Sequence, residues 1–420
     1  MLAVVSLRKP KVINVNLSDM APGTRTINKL DIAIVGGGLG GLTAAICLIK
    51  SGHNVRVFEQ ASALTEVGAG IQISANASRV LLSLGLKEKL DAVAIRPEFY
   101  RFRLFSTGEI LNEIRLASEH IVRYGAPYYH IHRADLLEIL VSEFTRLAAD
   151  SIYLNHNVIG FDESDNHITL KVSEDRAYAA NLLIGADGIK STIRTQLLGD
   201  SPVTFANQIA WRATVPVERL PTDFMDLSCT IWCGPRGHMV VYYVRGGELV
   251  NFVACVDTDE WVEESWTQKA DWEELRADFF GWHDDVLTLI EAVDRDQCFR
   301  WALNNRPPNP NWSTNRTTLL GDAIHPTIPY LGQGAAMALE DAAVLCRTLD
   351  ETTTVTDALQ LYQNHRYGRT SRVVHESSAN AEMFHLGSED ALRDAFSKRD
   401  LGEERGAWLF NYDPLTVPLV

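Results

Sequence analysis

Three short, largely apolar runs, each followed closely by a glycine, stand out along the chain. They are residues 31–35 before Gly36, 181–184 before Gly185, and 317–320 before Gly321. Runs of this kind are typical of parallel strands that are covered on both faces. A helical stretch from about Leu39 to Lys50 follows the first run, and Val55–Glu59 reads as the next strand. The beginning of the chain therefore predicts a strand, a helix and a strand, which is a βαβ unit.

The pattern changes twice further along. Apolar periodicity around residues 80–86 and 136–144 predicts two more helices, whereas residues 204–300 alternate and are rich in aromatic side chains, which indicates a separate sheet. After residue 334 an alanine-rich helix begins, and the tail is mostly helical. We therefore predict an α/β protein in which a nucleotide-binding domain is interrupted by an inserted, sheet-rich substrate domain.

Composition narrows the range of partners. The net charge of −15 over 420 residues argues against a nucleic-acid partner, and no apolar run reaches the roughly 18 residues that would suggest a membrane span. The six cysteines are scattered without a CxxC pair or metal-ligand spacing, so we expect neither disulfides nor a metal and a reducing, cytoplasmic location. Residues 1–28 are read as a flexible N-terminal arm.

Gly36–Gly41 carries the pattern G-x-G-x-x-G between the first strand and the first helix. Gly36 would make the tight turn, Gly38 would let the backbone approach a pyrophosphate, and Gly41 would pack the helix against the strand. Glu59 ends the second strand 23 residues after Gly36, close to the spacing that places a carboxylate on a ribose. This motif alone does not separate FAD from NAD.

Two later segments make that distinction. Gly185–Arg194 contains D-G-x-x-S-x-x-R after a strand, and Gly321–Ala342 reads GDAIHPTIPYLGQGAAMALEDA. With the glycine motif and the His132–Leu137 stretch, these segments make the chain resemble the single-component FAD-dependent aromatic hydroxylases, in particular their salicylate hydroxylase-like branch. The resemblance covers about residues 30 to 412.

The resemblance implies an FAD-binding Rossmann-type domain of the GR2-like class. We assign to it residues 29–100, 130–200 and 301–350, with a mixed β-sheet substrate domain at 101–129 and 201–300 and a C-terminal helical region at 351–420. It also implies that Asp322 bonds the FAD ribityl chain, that Arg133 reaches the FAD, and that Asp187 organises the pyrophosphate. Gly70 and the helix start at Gly334 and Ala335 are placed at the cofactor by the same resemblance. A helix N-terminus at the flavin would stabilise the negative charge of the reduced ring.

Only one dinucleotide fingerprint is present, so a second Rossmann unit for NAD(P)H is not expected. The resemblance implies instead that NADH or NADPH docks transiently, that the flavin is reduced, and that O2 then adds to give a flavin C4a-hydroperoxide. This species delivers a hydroxyl group to an electron-rich ring in a dry cavity. The substrate phenol needs a neighbour that helps to deprotonate it.

Candidates for that chemistry lie in the inserted domain. His238 and Tyr242 are four residues apart, so on a strand they share one face and could bind a phenolate together; a half-buried histidine beside a core tyrosine is the alternative. The spacing Cys229-x8-His-x3-Tyr looks like that of 6-hydroxynicotinate 3-monooxygenases. Arg212 could bind a substrate carboxylate or lie exposed on a strand, and Pro326 is a candidate substrate contact in the loop that the family folds against the flavin.

The predicted function is NAD(P)H- and O2-dependent hydroxylation of a small hydroxy-aromatic carboxylate, with salicylate-type loss of CO2 as the first hypothesis. 6-Hydroxynicotinate and hydroxybenzoates are alternative substrates, and epoxidation of an alkene or hydroxylation of a natural product is a further one. A non-catalytic binding protein of the Rab escort and dissociation-inhibitor kind is a rival from another class, which would need no flavin. We expect a monomer or a homodimer.

Overall fold

The structure, a computed structural model, describes residues 27–65, 69–259 and 269–420. The predicted N-terminal arm thus lies outside the described residues apart from its last two. The strands are β1 Asp31–Val35, β2 Asn54–Phe58, β3 Gly70–Ile73, β4 Phe99–Leu104, β5 Ile110–Arg115, β6 Tyr129–His132, β7 Ile152–Tyr153, β8 Val158–Glu163, β9 Ile168–Val172, β10 Arg176–Ala180, β11 Leu182–Gly185, β12 Thr204–Pro216, β13 Ser228–Gly234, β14 Gly237–Val244, β15 Leu249–Asp257, β16 Phe299–Asn305 and β17 Thr317–Leu319. The helices are α1 Leu39–Lys50, α2 Ala75–Ser83, α3 Lys87–Val93, α4 Ala117–Tyr124, α5 Arg133–Leu147, α6 Thr192–Leu198, α7 Trp272–Asp278, α8 Asp284–Glu291, α9 Gly334–Glu351, α10 Val355–Phe384, α11 Glu389–Ser397 and α12 Leu401–Arg405.

A parallel sheet of five strands holds the three apolar runs side by side. Its strand order is β17, β11, β1, β2, β7, and every pairing in it is parallel. Ile32, Ile34, Leu183 and Ile184 have no exposed surface, as expected for strands covered on both faces. The carboxyl ends of β1, β11 and β17 lie next to one another, so the residues that follow these strands share one edge of the sheet.

A second sheet of seven strands has the order β16, β12, β15, β14, β13, β4, β5. All its pairings are antiparallel except that of β13 with β4. Both faces are covered, because Trp211 and Phe252 pack with α7 and α8 on one side while Phe102 and Cys229 pack toward α10 and α11 on the other. The boundaries that divide the chain into domains stay a prediction.

Two smaller sheets complete the fold. Strands β10, β9 and β8 form an antiparallel sheet, and β3 pairs with β6 in a two-stranded one. Strand β3 leads into α2 and β6 leads into α5, so the short sheet places the beginnings of both helices near the large sheet.

All six cysteines are buried, and none of them forms a disulfide. Burial raises the pKa of Cys47 to about 12 and that of Cys298 to about 11. Over residues 27–65, 69–259 and 269–420, no helix combines the length and the apolar character needed to cross a membrane.

Candidate functional site

A cavity of about 440 Å³ opens at the edge of the parallel sheet where β1, β11 and β17 end. This volume lies within the range of ligand pockets, about 300 to 1,000 Å³. Residues from separate parts of the chain line it: Gly36, Gly38, Glu59, Arg133, Asp187, Asp322, Gly334 and Ala335 are among them. The structure thus brings together eight of the ten residues predicted for the cofactor.

The glycine turn is shaped by two close approaches. Gly36 has φ of +106°, and a Cβ there would lie 2.3 Å from the carbonyl oxygen of Ala186. A Cβ on Gly41 would lie 2.1 Å from the carbonyl oxygen of Gly36, so the absence of a side chain at Gly41 lets α1 pack against the turn. Gly41 itself does not line the cavity. Gly38 is different, because a Cβ there would meet no protein atom within 4 Å. Its side of the backbone is open to a ligand.

Glu59 is held in place by backbone donors. Its Oε2 accepts from the N–H of Gly37 at 2.8 Å, and its Oε1 accepts from the N–H of Ala61 at 2.8 Å. The carboxylate therefore bridges the glycine turn and the end of β2 at the cavity wall.

Asp322 and Arg133 face the same cavity from different directions. Asp322 is exposed to the cavity, but the surrounding protein desolvates its carboxyl group and so raises the pKa of Asp322 against the opposing effects of His325 and Arg133. Helix α9 begins beside it, with Gly334, Ala335 and Ala338 on the wall. A carboxyl group and a helix N-terminus, whose N–H groups carry partial positive charge, thus lie side by side.

Asp187 has partners of its own. Ser191 Oγ donates to Oδ1 at 2.5 Å and the N–H of Ile193 donates to Oδ2 at 3.2 Å, so the side chain braces the turn into α6. Burial raises the pKa of Asp187, and these two hydrogen bonds oppose the effect. What Asp187 does directly is to order the loop on the cavity wall.

The polar groups around the cavity suit the phosphates and sugar hydroxyls of FAD. It offers the N-termini of α1 and α9, an open backbone at Gly38 for a pyrophosphate, and carboxylates at Glu59 and Asp322 for sugar hydroxyls. These groups lie along one cavity, so a long molecule with phosphates in the middle could contact all of them.

Next to this cavity, the large sheet meets the loop that precedes α9. His238 and Tyr242 project from the same face of β14 and are 1% and 3% exposed. The His238 ring lies 4.6 Å from that of Tyr330, and the Tyr242 ring lies 4.4 Å from that of His130, measured between centroids. Gly70 also lies here, because a Cβ on it would lie 2.5 Å from Tyr242 Cε2. It does not line the cavity, although it was predicted to contact the cofactor.

Cys229 and Gln72 extend this cluster. Gln72 Nε2 donates to Cys229 Sγ at 3.3 Å, and Tyr128 donates to Gln72 Oε1 at 2.6 Å. Gln72 also faces Gly332, where a Cβ would lie 3.2 Å from its Oε1. The sequence reasoning did not find Gln72 or Tyr128, because neither belongs to a motif with a spacing of its own.

Arg212 and Pro326 lie at the margins of this region. Arg212 is 2% exposed on β12, with its guanidinium 5.3 Å from the ring centroid of Trp301 and 5.7 Å from that of Phe299. It is therefore not an exposed strand residue. Pro326 is buried in the loop before α9. Their predicted roles toward substrate stay predictions.

A buried ionic network under α9 also escaped the sequence reasoning. Asp341 accepts from His325 Nε2 at 2.6 Å, Arg366 Nε at 2.7 Å and the Gly321 N–H at 3.0 Å. Although burial acts in the opposite direction, His325 and Arg366 lower the pKa of Asp341 to about 2. The network ties the loop at Gly321 and His325 to α9 and α10, and so holds the cavity wall.

Comparison with known proteins agrees with this geometry. Residues 29–377 match the model of a family described as FAD binding domain. A 3-amino-4-hydroxybenzoate 2-monooxygenase of Streptomyces platensis is 36% identical over 92% of this chain and 97% of its own. A 6-hydroxynicotinate 3-monooxygenase of Pseudomonas fluorescens is 33% identical over 93% of this chain and 96% of its own. A solved salicylate hydroxylase substrate complex superposes with a TM-score of 0.78 at 27% identity, covering 92% of this chain and 96% of that one. The predicted fold class and the resemblance to flavoprotein hydroxylases are confirmed.

Proposed function

The chain belongs to the family described as FAD binding domain, and from that premise we propose that it hydroxylates a small hydroxy-aromatic carboxylate with NAD(P)H and O2. Bound FAD would accept a hydride from the nicotinamide and deliver one oxygen atom of O2 to the ring. The observation that carries the proposal is the pair His238 and Tyr242 on one buried face of β14, against the loop that runs into α9. A cytoplasmic location remains part of the proposal.

The substrate hydroxyl is the group that His238 and Tyr242 would hold. Burial and then His385 lower the pKa of His238, so its ring is neutral and can accept a proton. Burial likewise raises the pKa of Tyr242, which keeps its hydroxyl as a hydrogen-bond donor. A neutral base beside a protonated donor is suited to drawing a proton from a phenol and stabilising the oxygen left behind.

The surroundings support hydroxylation because they exclude water. Tyr330, Tyr100 and Met337 are buried on the same side of the sheet, and Gln72 and Tyr128 supply the polar contacts. A dry cavity with few polar groups is what an oxygen-transferring flavin requires, since water promotes unproductive release of peroxide.

The two relatives compared above favour a hydroxyl para to the carboxylate. The relatives at 36% and 33% identity are named for 3-amino-4-hydroxybenzoate and 6-hydroxynicotinate. In both compounds the hydroxyl and the carboxylate lie on opposite sides of the ring. We therefore place para-hydroxy carboxylates ahead of salicylate, in which the two groups are ortho. The spacing of Cys229, His238 and Tyr242 supports the same choice.

Product analysis tests the proposal. Purified protein with FAD is given 6-hydroxynicotinate, 3-amino-4-hydroxybenzoate, 4-hydroxybenzoate or salicylate, and NADH and NADPH oxidation, product mass and CO2 release are followed. We expect at least one para-hydroxy acid to stimulate NAD(P)H oxidation and gain one oxygen atom. If no hydroxy-aromatic acid has this effect, the proposal is wrong. His238→Ala should keep the yellow FAD yet release peroxide in place of product.

A further inference from the structure

His238 is the inner end of a chain of three polar side chains that leads to the protein surface. Its Nδ1 lies 2.9 Å from Nε2 of His385, and Nδ1 of His385 lies 2.7 Å from Oδ1 of Asp257. His385 directly follows the last residue of α10, and Asp257 is the last residue of β15. His238 is 1% exposed, whereas the Asp257 side chain is 35% exposed. The chain thus runs from the buried face of β14 to solvent.

The direction of each hydrogen bond follows from the acid. His385 bonding holds the pKa of Asp257 below its ordinary value in spite of burial, so the carboxylate is ionised and only accepts. Nδ1 of His385 must then donate, which leaves Nε2 of a neutral His385 as an acceptor. Nδ1 of His238 therefore carries its proton, and Nε2 of His238 keeps a free lone pair.

We propose that Asp257, His385 and His238 form a proton relay that carries the proton of the substrate hydroxyl to solvent, which rests on the function proposed above. The proton leaves the phenol oxygen for Nε2 of His238, and the electron pair of the O–H bond stays on the oxygen as a phenolate. The Nδ1 proton of His238 passes to Nε2 of His385, and the Nδ1 proton of His385 passes through Asp257 to water. Each imidazole ends neutral, with its proton on the other nitrogen.

Asp257 is fixed in the orientation that the relay needs. Gln208 Nε2 donates to the same Oδ1 at 2.9 Å, and the backbone N–H of Asp257 donates to the carbonyl of Arg236 at 2.8 Å. Arg236 lies in the turn between β13 and β14 with φ of +61°, and its guanidinium donates to the Asp257 carbonyl at 3.1 Å. A half-exposed acid with only a solubility role would not need these restraints.

Few other ionisable groups compete with the relay. The groups that face His238 from the neighbouring elements are Cys233 on β13, Cys255 on β15, Tyr330 in the loop and His385 after α10. Burial raises the pKa of both thiols and of the Tyr330 hydroxyl, so these three stay protonated around neutral pH. His385 is therefore the group that can exchange a proton with His238.

Asp257→Asn and His385→Gln test the relay, because each replaces the side chain with a neutral amide of similar size that does not relay protons. Asp285→Asn is the matched control. Asp285 also lies beside a histidine, His283, but this pair is at the start of α8 and is not part of the chain of side chains that leads to His238. With the best substrate of the panel, we expect both relay variants to bind FAD normally and to lose coupled hydroxylation about 10- to 100-fold. In His385→Gln the rising limb of the pH profile should move to higher pH, because His385 lowers the pKa of His238 in the wild type. Unchanged rates and pH profiles, or loss of FAD in both variants, would refute the relay.

A second measurement needs no turnover. In protein labelled with 15N-histidine, NMR reports which ring nitrogen of each histidine carries the proton. We expect His238 to be protonated at Nδ1 and bare at Nε2 in the wild type and in Asp285→Asn, and to lose this preference in Asp257→Asn. A His238 protonated at Nε2 in the wild type overturns the relay. If His238 has the expected tautomer but no hydroxy-aromatic acid is hydroxylated, the proposed function is wrong, whereas the hydrogen-bonded chain from His238 to Asp257 is confirmed.

Discussion

At the scale of single residues, the site depends on carboxylates whose surroundings differ. Glu59 and Asp187 are engaged by backbone donors and a serine, whereas Asp322 faces the cavity next to Arg133. Asp341 is locked between His325 and Arg366 with no exposed surface. The first three line the cavity, while the fourth holds the wall behind it.

Replacing Asp322 by alanine should weaken FAD binding. A hydrogen bond to a charged group contributes about 1.5 to 3 kcal/mol, so the FAD dissociation constant should rise roughly 10- to 100-fold. Fluorescence titration of the apoprotein measures it. Asp296→Ala, at an exposed position away from the cavity, serves as control. Equal FAD affinity in Asp322→Ala and Asp296→Ala would remove Asp322 from the binding site.

Asp341 should make stability depend on pH at the acid end. Its pKa is about 2 in the folded protein against 3.8 ordinarily, so the ionised form stabilises the fold above pH 3.8. This contribution, on the order of 2 kcal/mol, is lost as the pH falls from about 4 to 2. Denaturant unfolding should show Asp341→Asn to be less stable at pH 7 by about 3 to 5 kcal/mol, because Arg366 is left partly unpaired. The gap should narrow below pH 4; a constant gap would contradict the assignment.

At the scale of elements, the first βαβ unit could be predicted to within a residue or two. The run before Gly36, the helix from Leu39 to Lys50 and the next strand are all local patterns, and β1, α1 and β2 match them. The parallel pairing of β13 with β4 could not be predicted, because about 120 residues separate them and no pattern links them. The contact of His238 with His385 spans 147 positions and was missed for the same reason.

Gly38 and Gly41 provide an element-scale test, because they lie in one turn and meet different neighbours. Gly41→Ala places a Cβ 2.1 Å from the Gly36 carbonyl oxygen, so it should cost about 1 to 3 kcal/mol of stability and also weaken FAD binding. Gly38→Ala meets no protein atom within 4 Å and has φ of −76°, so the apoprotein should be as stable as the wild type. FAD should still bind less well, because the methyl group lies where the pyrophosphate would approach. Normal FAD affinity in Gly38→Ala would contradict this placement.

At the scale of the whole molecule, the cofactor cavity is assembled from segments that are far apart in sequence. Its lining comes from seven parts of the chain, within residues 35–40, 58–60, 133, 156–158, 186–192, 320–322 and 334–338. A ligand that contacts all of them holds several strands and helices together at once. Binding should therefore be visible as global stabilisation.

FAD at 100 times its dissociation constant should raise the free energy of unfolding by about 2.7 kcal/mol. Thermal or denaturant unfolding with and without FAD measures the gain. Asp322→Ala at the same FAD concentration should gain much less, and Asp296→Ala should gain as much as the wild type. If FAD does not change the free energy of unfolding of the wild type, the cofactor does not bind in this cavity.

The burial of every cysteine has a consequence for an enzyme that handles oxygen. When hydroxylation is uncoupled, hydrogen peroxide forms within the protein itself, and the thiolate is the form of cysteine that peroxide attacks. Cys47 has a pKa of about 12 and Cys298 one of about 11, and burial also raises the pKa of Cys229, Cys233 and Cys255, so almost none of these five thiols is ionised at neutral pH. The packing that buries these thiols should thus protect the protein from its own by-product, so loosening the core should shorten the working life of the enzyme.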